Sequence, residues 1–271
     1  MKNLLSSVLT KKNKVLDARI YQIIFLSSFI GLGLAFKDLS LSLPGLILCL
    51  FTAIACQYFF AKLYKQTQIS ILSAIITSLS ICLLTRSNFF WTYPLLAFIA
   101  ISSKFALRWH QQHIFNPANF AIVFALLFIK PIWISDSLWG HSTSLIIWFM
   151  FLGMVVTQKT KVNLPSIAFL LFYFLLTAIK TIYLGFEFLV WAHELQSGAL
   201  MIFTFFMLSD PKTSPDQVRG QLIYAATIAC FSFILKHLLF INHAFFYSLI
   251  IACLLSNVVL KKQKYSFNWL S

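Results

Sequence analysis

Long apolar runs that recur along almost the whole chain, each followed within four residues by a lysine or arginine, limit this sequence to one kind of fold. Ten such runs stand at 20–36, 43–61, 69–84, 89–103, 117–129, 139–156, 164–179, 197–208, 221–235 and 244–260. A helix that crosses a bilayer needs about 20 apolar residues because the hydrocarbon core is about 30 Å thick. With 60% hydrophobic and 10% charged residues, the chain has more apolar surface than a water-soluble domain could hide. The expected architecture is an all-α polytopic membrane protein with about ten transmembrane helices. Its parts are an N-terminal arm at 1–19, one transmembrane domain at 20–260 and a tail at 261–271, with the lipid bilayer as its first partner. LLSSVL is too short for a cleavable leader, so the first run is expected to act as an uncleaved anchor.

The charges support the count. With both termini inside, the inner segments 1–19, 62–68, 104–116, 157–163, 209–220 and 261–271 hold 16 of the 21 Lys and Arg, while Lys37, Arg86, Lys130, Lys180 and Lys236 fall outside one by one. Basic residues prefer the cytoplasmic side, and a miscounted helix would spoil the alternation. The net charge of +14 therefore reads as topology, and no basic face for nucleic acid is expected. The weak point is 180–196, where Glu187, His193 and Glu194 favour an interfacial or re-entrant segment over a crossing.

Two polar stretches stand at the edges of short apolar runs: HIFNPANF at 113–120 and MLSDPKTSPD at 207–216. Pro117 at the first helical position lets Asn116 cap the helix, and Asn119 then projects from the first turn. Pro211 ends its helix beside Asp210, with Thr213, Ser214, Asp216, Arg219 and Gly220 close behind. Caps, turns and an Asp-Arg pair account for many of these residues singly, while the two stretches together, on one side of the membrane, suggest a ligand site. Five runs precede the midpoint and five follow, and an odd count per half turns the second half over, so a five-plus-five inverted repeat is the expected plan.

Other chemistry is sparse. Cys49, Cys56, Cys82, Cys230 and Cys253 all lie in apolar runs, without the spacing of a metal site or a disulfide framework. His110 and His113 fall inside, and His141, His193, His237 and His243 fall on or near the outer side, with no haem-attachment spacing. No nucleophile-base pair or paired carboxylates suggest hydrolysis, so no catalytic residue is assigned.

SSKFALRWHQQHIFNPANFAIV followed by SGALMIFTFFMLSDPKTSPDQVRGQLIYA resembles the RnfD/NqrB family, the flavin-carrying membrane subunits of Rnf ferredoxin:NAD complexes and of the sodium-pumping NADH:quinone reductase. Phe115, Asn116, Pro117 and Ala118 match its first motif, and Ser197, Gly198, Asp210, Pro211, Thr213, Ser214 and Gly220 its second. The resemblance implies a place in the bacterial inner membrane with both termini cytoplasmic, a role in electron transport and coupled ion transport, and other membrane electron-transfer subunits as partners.

The family holds FMN through a phosphoester to a Thr in an Asp/Ser-Gly-Ala-Thr stretch on the outer face, placed after the fifth helix. Here that region reads KPIWISDSLWGHSTSLII, with Gly140-His141-Ser142-Thr143-Ser144 as the nearest echo, and no Gly-Ala-Thr occurs in the chain. Covalent FMN is therefore not expected. The resemblance still implies a non-covalent flavin, riboflavin or FMN, with Phe115, Asn116, Pro117, Asn119, Ser197, Gly198, Asp210, Pro211, Thr213, Ser214, Arg219 and Gly220 as its candidate ligands and Trp109 and Phe115 as stacking partners. The rival readings are a small-solute transporter, for a flavin precursor, and an accessory membrane scaffold without a redox cofactor.

Overall fold

A computed structural model describes residues 17–36, 41–66, 69–109, 112–129, 132–135, 153–154 and 163–259. The arm at 1–16, the tail from 260 and most of the expected run 139–156, including His141 and Thr143, lie outside the described residues. Helix forms at every expected apolar run that lies within them. The helices are α1 (Ala18–Phe36), α2 (Leu43–Leu63), α3 (Ile71–Leu84), α4 (Thr92–Ala106), α5 (Pro117–Phe128), α6 (Asn163–Leu184), α7 (Phe188–Leu195), α8 (Gly198–Ile202), α9 (Val218–Phe233) and α10 (Ala244–Val259). Helix α8 runs on as a π-helix over Phe203–Leu208, and α9 over Ile234–Leu238.

Among the described helices three are long and apolar enough to cross a membrane by themselves: Leu43–Leu63, Asn163–Leu184 and Val218–Leu238. Most of the rest are shorter apolar helices, and two of them, α5 and α8, begin with a side-chain cap from Asn116 and Ser197. Such a partner for the backbone is the condition under which a short helix survives at membrane depth. The fold is not purely helical, which corrects the all-α expectation in detail. Strand β1 (Thr85–Ser87) pairs antiparallel with β4 (Ile132–Ile134), and β2 (Arg108–Trp109) with β3 (Gln112–His113). Each ribbon lies where a helix has just stopped, so its backbone groups pair with a neighbouring strand in place of helical partners.

The molecule has two ends, which we call inner and outer after the charge rule. Helices α3 and α5 both finish at the outer end, where β1 and β4 join them. The segment 180–196 also resolves there. Helix α6 continues through Leu184, and Gly185 at φ +69 closes it in a Schellman turn, its N–H on the Ile182 carbonyl and that of Phe186 on Thr181. The expected break at 180 is thus late by a turn, and Lys180 sits on the helix. Helix α7 then lies with Phe188, Leu189 and Val190 exposed, as an interfacial segment would.

Small residues set the packing distances. An added Cβ on Gly45 of α2 would stand 2.4 Å from the ring of Tyr93 on α4, and Tyr93 is itself buried. Gly45→Leu should therefore destabilise the fold by about 1–3 kcal/mol through overpacking. Gly31→Ala, with open space around it, should leave the thermal midpoint in detergent unchanged or slightly raised. Equal midpoints for the Gly45 variant and the wild type would show that α2 and α4 do not pack this way.

Candidate functional site

The inner motifs meet as expected. Asn116 is the N-cap of α5, its side-chain oxygen accepting from the Asn119 N–H, and its amide nitrogen donates to Asp210 Oδ2 at 3.3 Å. His113 Nε2 lies 3.1 Å from the same oxygen. Asp210 in turn accepts from the Lys212 backbone N–H. The Thr213 and Ser214 N–H groups both donate to the Asp210 carbonyl, and their hydroxyls donate to the Asp210 and Leu208 carbonyls. Thr213 and Ser214 thus hold the loop, and Asp210 links that loop to the start of α5.

Burial alone would raise the Asp210 carboxyl. The neighbouring His113, its hydrogen bond and the Lys212 N–H outweigh it and hold the group at about 2. Burial pushes His113 below its ordinary value, only partly opposed by Asp210. Near pH 7 the pair is an ionised carboxylate and a neutral imidazole whose proton sits on Nε2 and is donated to Asp210. Asp210 and His113 line a small cavity of about 70 Å³ with Arg19, Ser70, Ser73 and Lys212.

Not every expected site residue joins this cluster. Phe115 stacks on Phe120 with ring centroids 5.5 Å apart, and Trp109 is 55% exposed, so the structure does not pair them around a ligand. Asn119 is fully buried and donates to the Phe246 carbonyl, which ties the first turn of α5 to that of α10. Arg219 is exposed in the first turn of α9, where Gly220 is buried, and Pro117 and Pro211 line the small cavity. Ser197 and Gly198 stand at the opposite end of the Gly198–Leu208 helix from Asp210, about 16 Å of helix away. Ser197 caps α8 by accepting from the Leu200 N–H, and it lines a second, outer cavity.

The sequence reading missed three features. Lys104, expected as a loop charge, lies within α4 and is 5% exposed, with Nζ donating to Gln57 Oε1 at 2.8 Å and to Ser73 Oγ at 3.2 Å. The polar Gln57 in an otherwise apolar run was the available signal. At the outer end, Glu194 lies 2.9 Å from Lys236 Nζ, 3.1 Å from His237 Nε2 and 3.8 Å from Lys180 Nζ. Burial would raise Glu194, but His237 and Lys236 hold it near 2. These groups line the outer cavity, of about 1,080 Å³, together with His193, His243, Phe186, Phe240 and Phe245. Third, Ser197, matched by sequence to the motif that holds Asp210, lines the outer cavity, and Ser197-Gly198-Ala199 is followed by the fully buried Leu200.

The inner pair makes stability depend on pH. His113 has a folded value below its ordinary 6.5, so the unfolded chain takes up its proton first and stability falls as pH drops below about 6.5. Asp210 has a folded value of about 2 against 3.8, so its contribution is complete above about pH 4 and is lost as pH falls toward 2. His113→Gln should flatten the loss of thermal midpoint between pH 7 and 5, and Asp210→Asn should reduce the loss below pH 4. At neutral pH each should cost about 1–3 kcal/mol, with the double variant costing less than the sum. Additive costs would mean that the two side chains do not act as a pair.

No curated protein matches the chain. The profile of the NQR2, RnfD, RnfE family matches residues 127–265. That stretch takes in Ser197, Gly198, the loop around Asp210 and the whole basic outer cluster, while HIFNPANF lies ahead of it. On this match, over half of its length, the chain belongs to the NQR2, RnfD, RnfE family, membrane subunits of Rnf- and Nqr-type complexes.

Proposed function

We propose that this chain serves electron transport in such a complex by holding a flavin without a covalent bond, and that the flavin occupies the outer cavity. The observation that carries this reading is the position of Ser197-Gly198-Ala199. Ser197 opens onto the outer cavity, and the next residue is the aliphatic Leu200, which has no oxygen to form a phosphoester. Small-molecule pockets run from about 300 to 1,000 Å³. A cavity of about 1,080 Å³ takes a three-ring ligand, whereas the inner one of about 70 Å³ does not. The Asn116–Asp210 cluster then acts as the inner seal and support of α5, not as the flavin's ligands.

The scaffold in this reading is a ten-crossing, five-plus-five inverted repeat in a bacterial inner membrane. Packing supports it. In the first half α2 lies along α4, and α4 along α5; in the second, α6 lies along α9, and α9 along α10. In the first half α1 packs on α3, and in the second Gly153 lies against the ring of Phe205 on the α8 continuation. Asn116-Pro117-Ala118 at the start of α5 has an echo in Asn242-His243-Ala244 at the start of α10. The first turns of α5 and α10, which would be the corresponding helices, touch through Asn119 and the Phe246 carbonyl.

That contact joins the turn of α5 that lines the inner cavity to the turn of α10 that lines the outer one, and it favours a solute transporter as the second reading. The two differ in what the purified protein retains. Acid precipitation of protein purified in mild detergent should release flavin into the supernatant at about one per chain. A colourless protein that takes up solute in vesicles would overturn the redox reading. Flavin fluorescence that stays with the precipitated chain would overturn the non-covalent one.

A further inference from the structure

We infer that the Lys180, Lys236 and His237 side chains form an anion site in the outer cavity, and that the ligand group it takes is a phosphate. The inference rests on the outer cavity as the ligand site and adds which chemical group is recognised there.

The Lys180 ammonium lies 2.9 Å from His237 Nδ1, and His237 Nε2 lies 3.1 Å from Glu194 Oε1. Lys236 meets the same carboxylate oxygen at 2.9 Å. One carboxylate thus faces two lysines, Lys236 at 2.9 Å and Lys180 at 3.8 Å, so one lysine charge is left over. Glu194 is the one acid on the cavity wall among the described residues, where His193 and His243 add further nitrogen groups.

Geometry keeps this surplus available. The Lys236 side chain is 35% exposed and the Lys180 side chain 25%, so neither is sealed away from a ligand. Lys236 Nζ also sits over the Phe245 ring, 5.5 Å from its centroid, which holds the ammonium beside an aromatic wall. The π-helical turn Ile234–Leu238 sets Lys236 and His237 against Glu194 together, although they are adjacent in sequence. Such turns are uncommon and often mark functional positions. An ammonium has three donors, and Lys236 spends one on Glu194. A phosphate, with two negative charges and several acceptor oxygens, fits a partly neutralised pair of ammonium groups better than a neutral hydroxyl does. The phosphate can belong to a flavin mononucleotide or be free in solution.

The test uses the full-length protein in detergent with FMN, riboflavin and inorganic phosphate as probes. FMN should bind at least about tenfold more tightly than riboflavin by quenching of flavin fluorescence, as expected for a charge-assisted hydrogen bond. Inorganic phosphate should compete with FMN but not with riboflavin. Lys236→Met with Lys180→Met should bring FMN down to the affinity of riboflavin while riboflavin binding stays unchanged, and Lys236→Arg should keep the preference. Unchanged riboflavin binding also serves as the control for folding. If neither flavin binds but phosphate raises the thermal midpoint of the wild type and not of the double Met variant, the anion site stands and the flavin reading falls. Equal affinity for the two flavins in the wild type, or an FMN preference that survives loss of both lysines, overturns the inference.

Discussion

A helix that begins inside an apolar layer leaves its first N–H groups with no water to bind, and protein must supply every partner. Helix α5 meets that constraint with Pro117, which has no N–H to satisfy, and with Asn116, which caps the turn. Asn116 is held in turn by Asp210, and Asp210 by His113 and its own loop. A chain of polar contacts thus connects the end of the α8 continuation to the start of α5, across 94 positions of sequence between Asn116 and Asp210. The two polar stretches need each other before they need a ligand.

The same economy shapes the outer end, with opposite sign. There the single carboxylate of Glu194 gathers Lys180, Lys236 and His237, and a large cavity remains open beside them. The inner cavity is small and built around the Asp210 carboxylate and its partners, while the outer cavity is large and gathers two lysines and three histidines around one carboxylate. In the proposed inverted repeat, the two ends can thus carry unlike sites because the side chains at the corresponding positions differ.

Much of this was legible in sequence, though unevenly. Apolar runs fixed the helices to within a few residues, since period and length carry that signal. The Asn116 cap was readable because a cap is local, and the approach of HIFNPANF to the Asp210 loop followed from counting crossings. Distances between remote side chains were not readable. His113 is placed on the inner side by sequence but without its partner Asp210, and Lys104 falls in an expected loop because helix α4 runs three residues beyond its expected end. The same limit assigned Ser197 and Asp210 to one site, although a helix of about 16 Å lies between them. Ser197 and Gly198 were legible as part of the second motif, but their place on the outer cavity was not.

The central claim is that the ligand site lies at the outer end and that the inner cluster is structural support. An experimental density map of the protein with FMN added tests it most directly. The account predicts planar density in the cavity beside Phe245 and Ser197, with its phosphate near Lys236, and an unbroken Asn116–Asp210–His113 cluster. Flavin density between Asn116 and Asp210, with that cluster opened to admit it, would contradict the account.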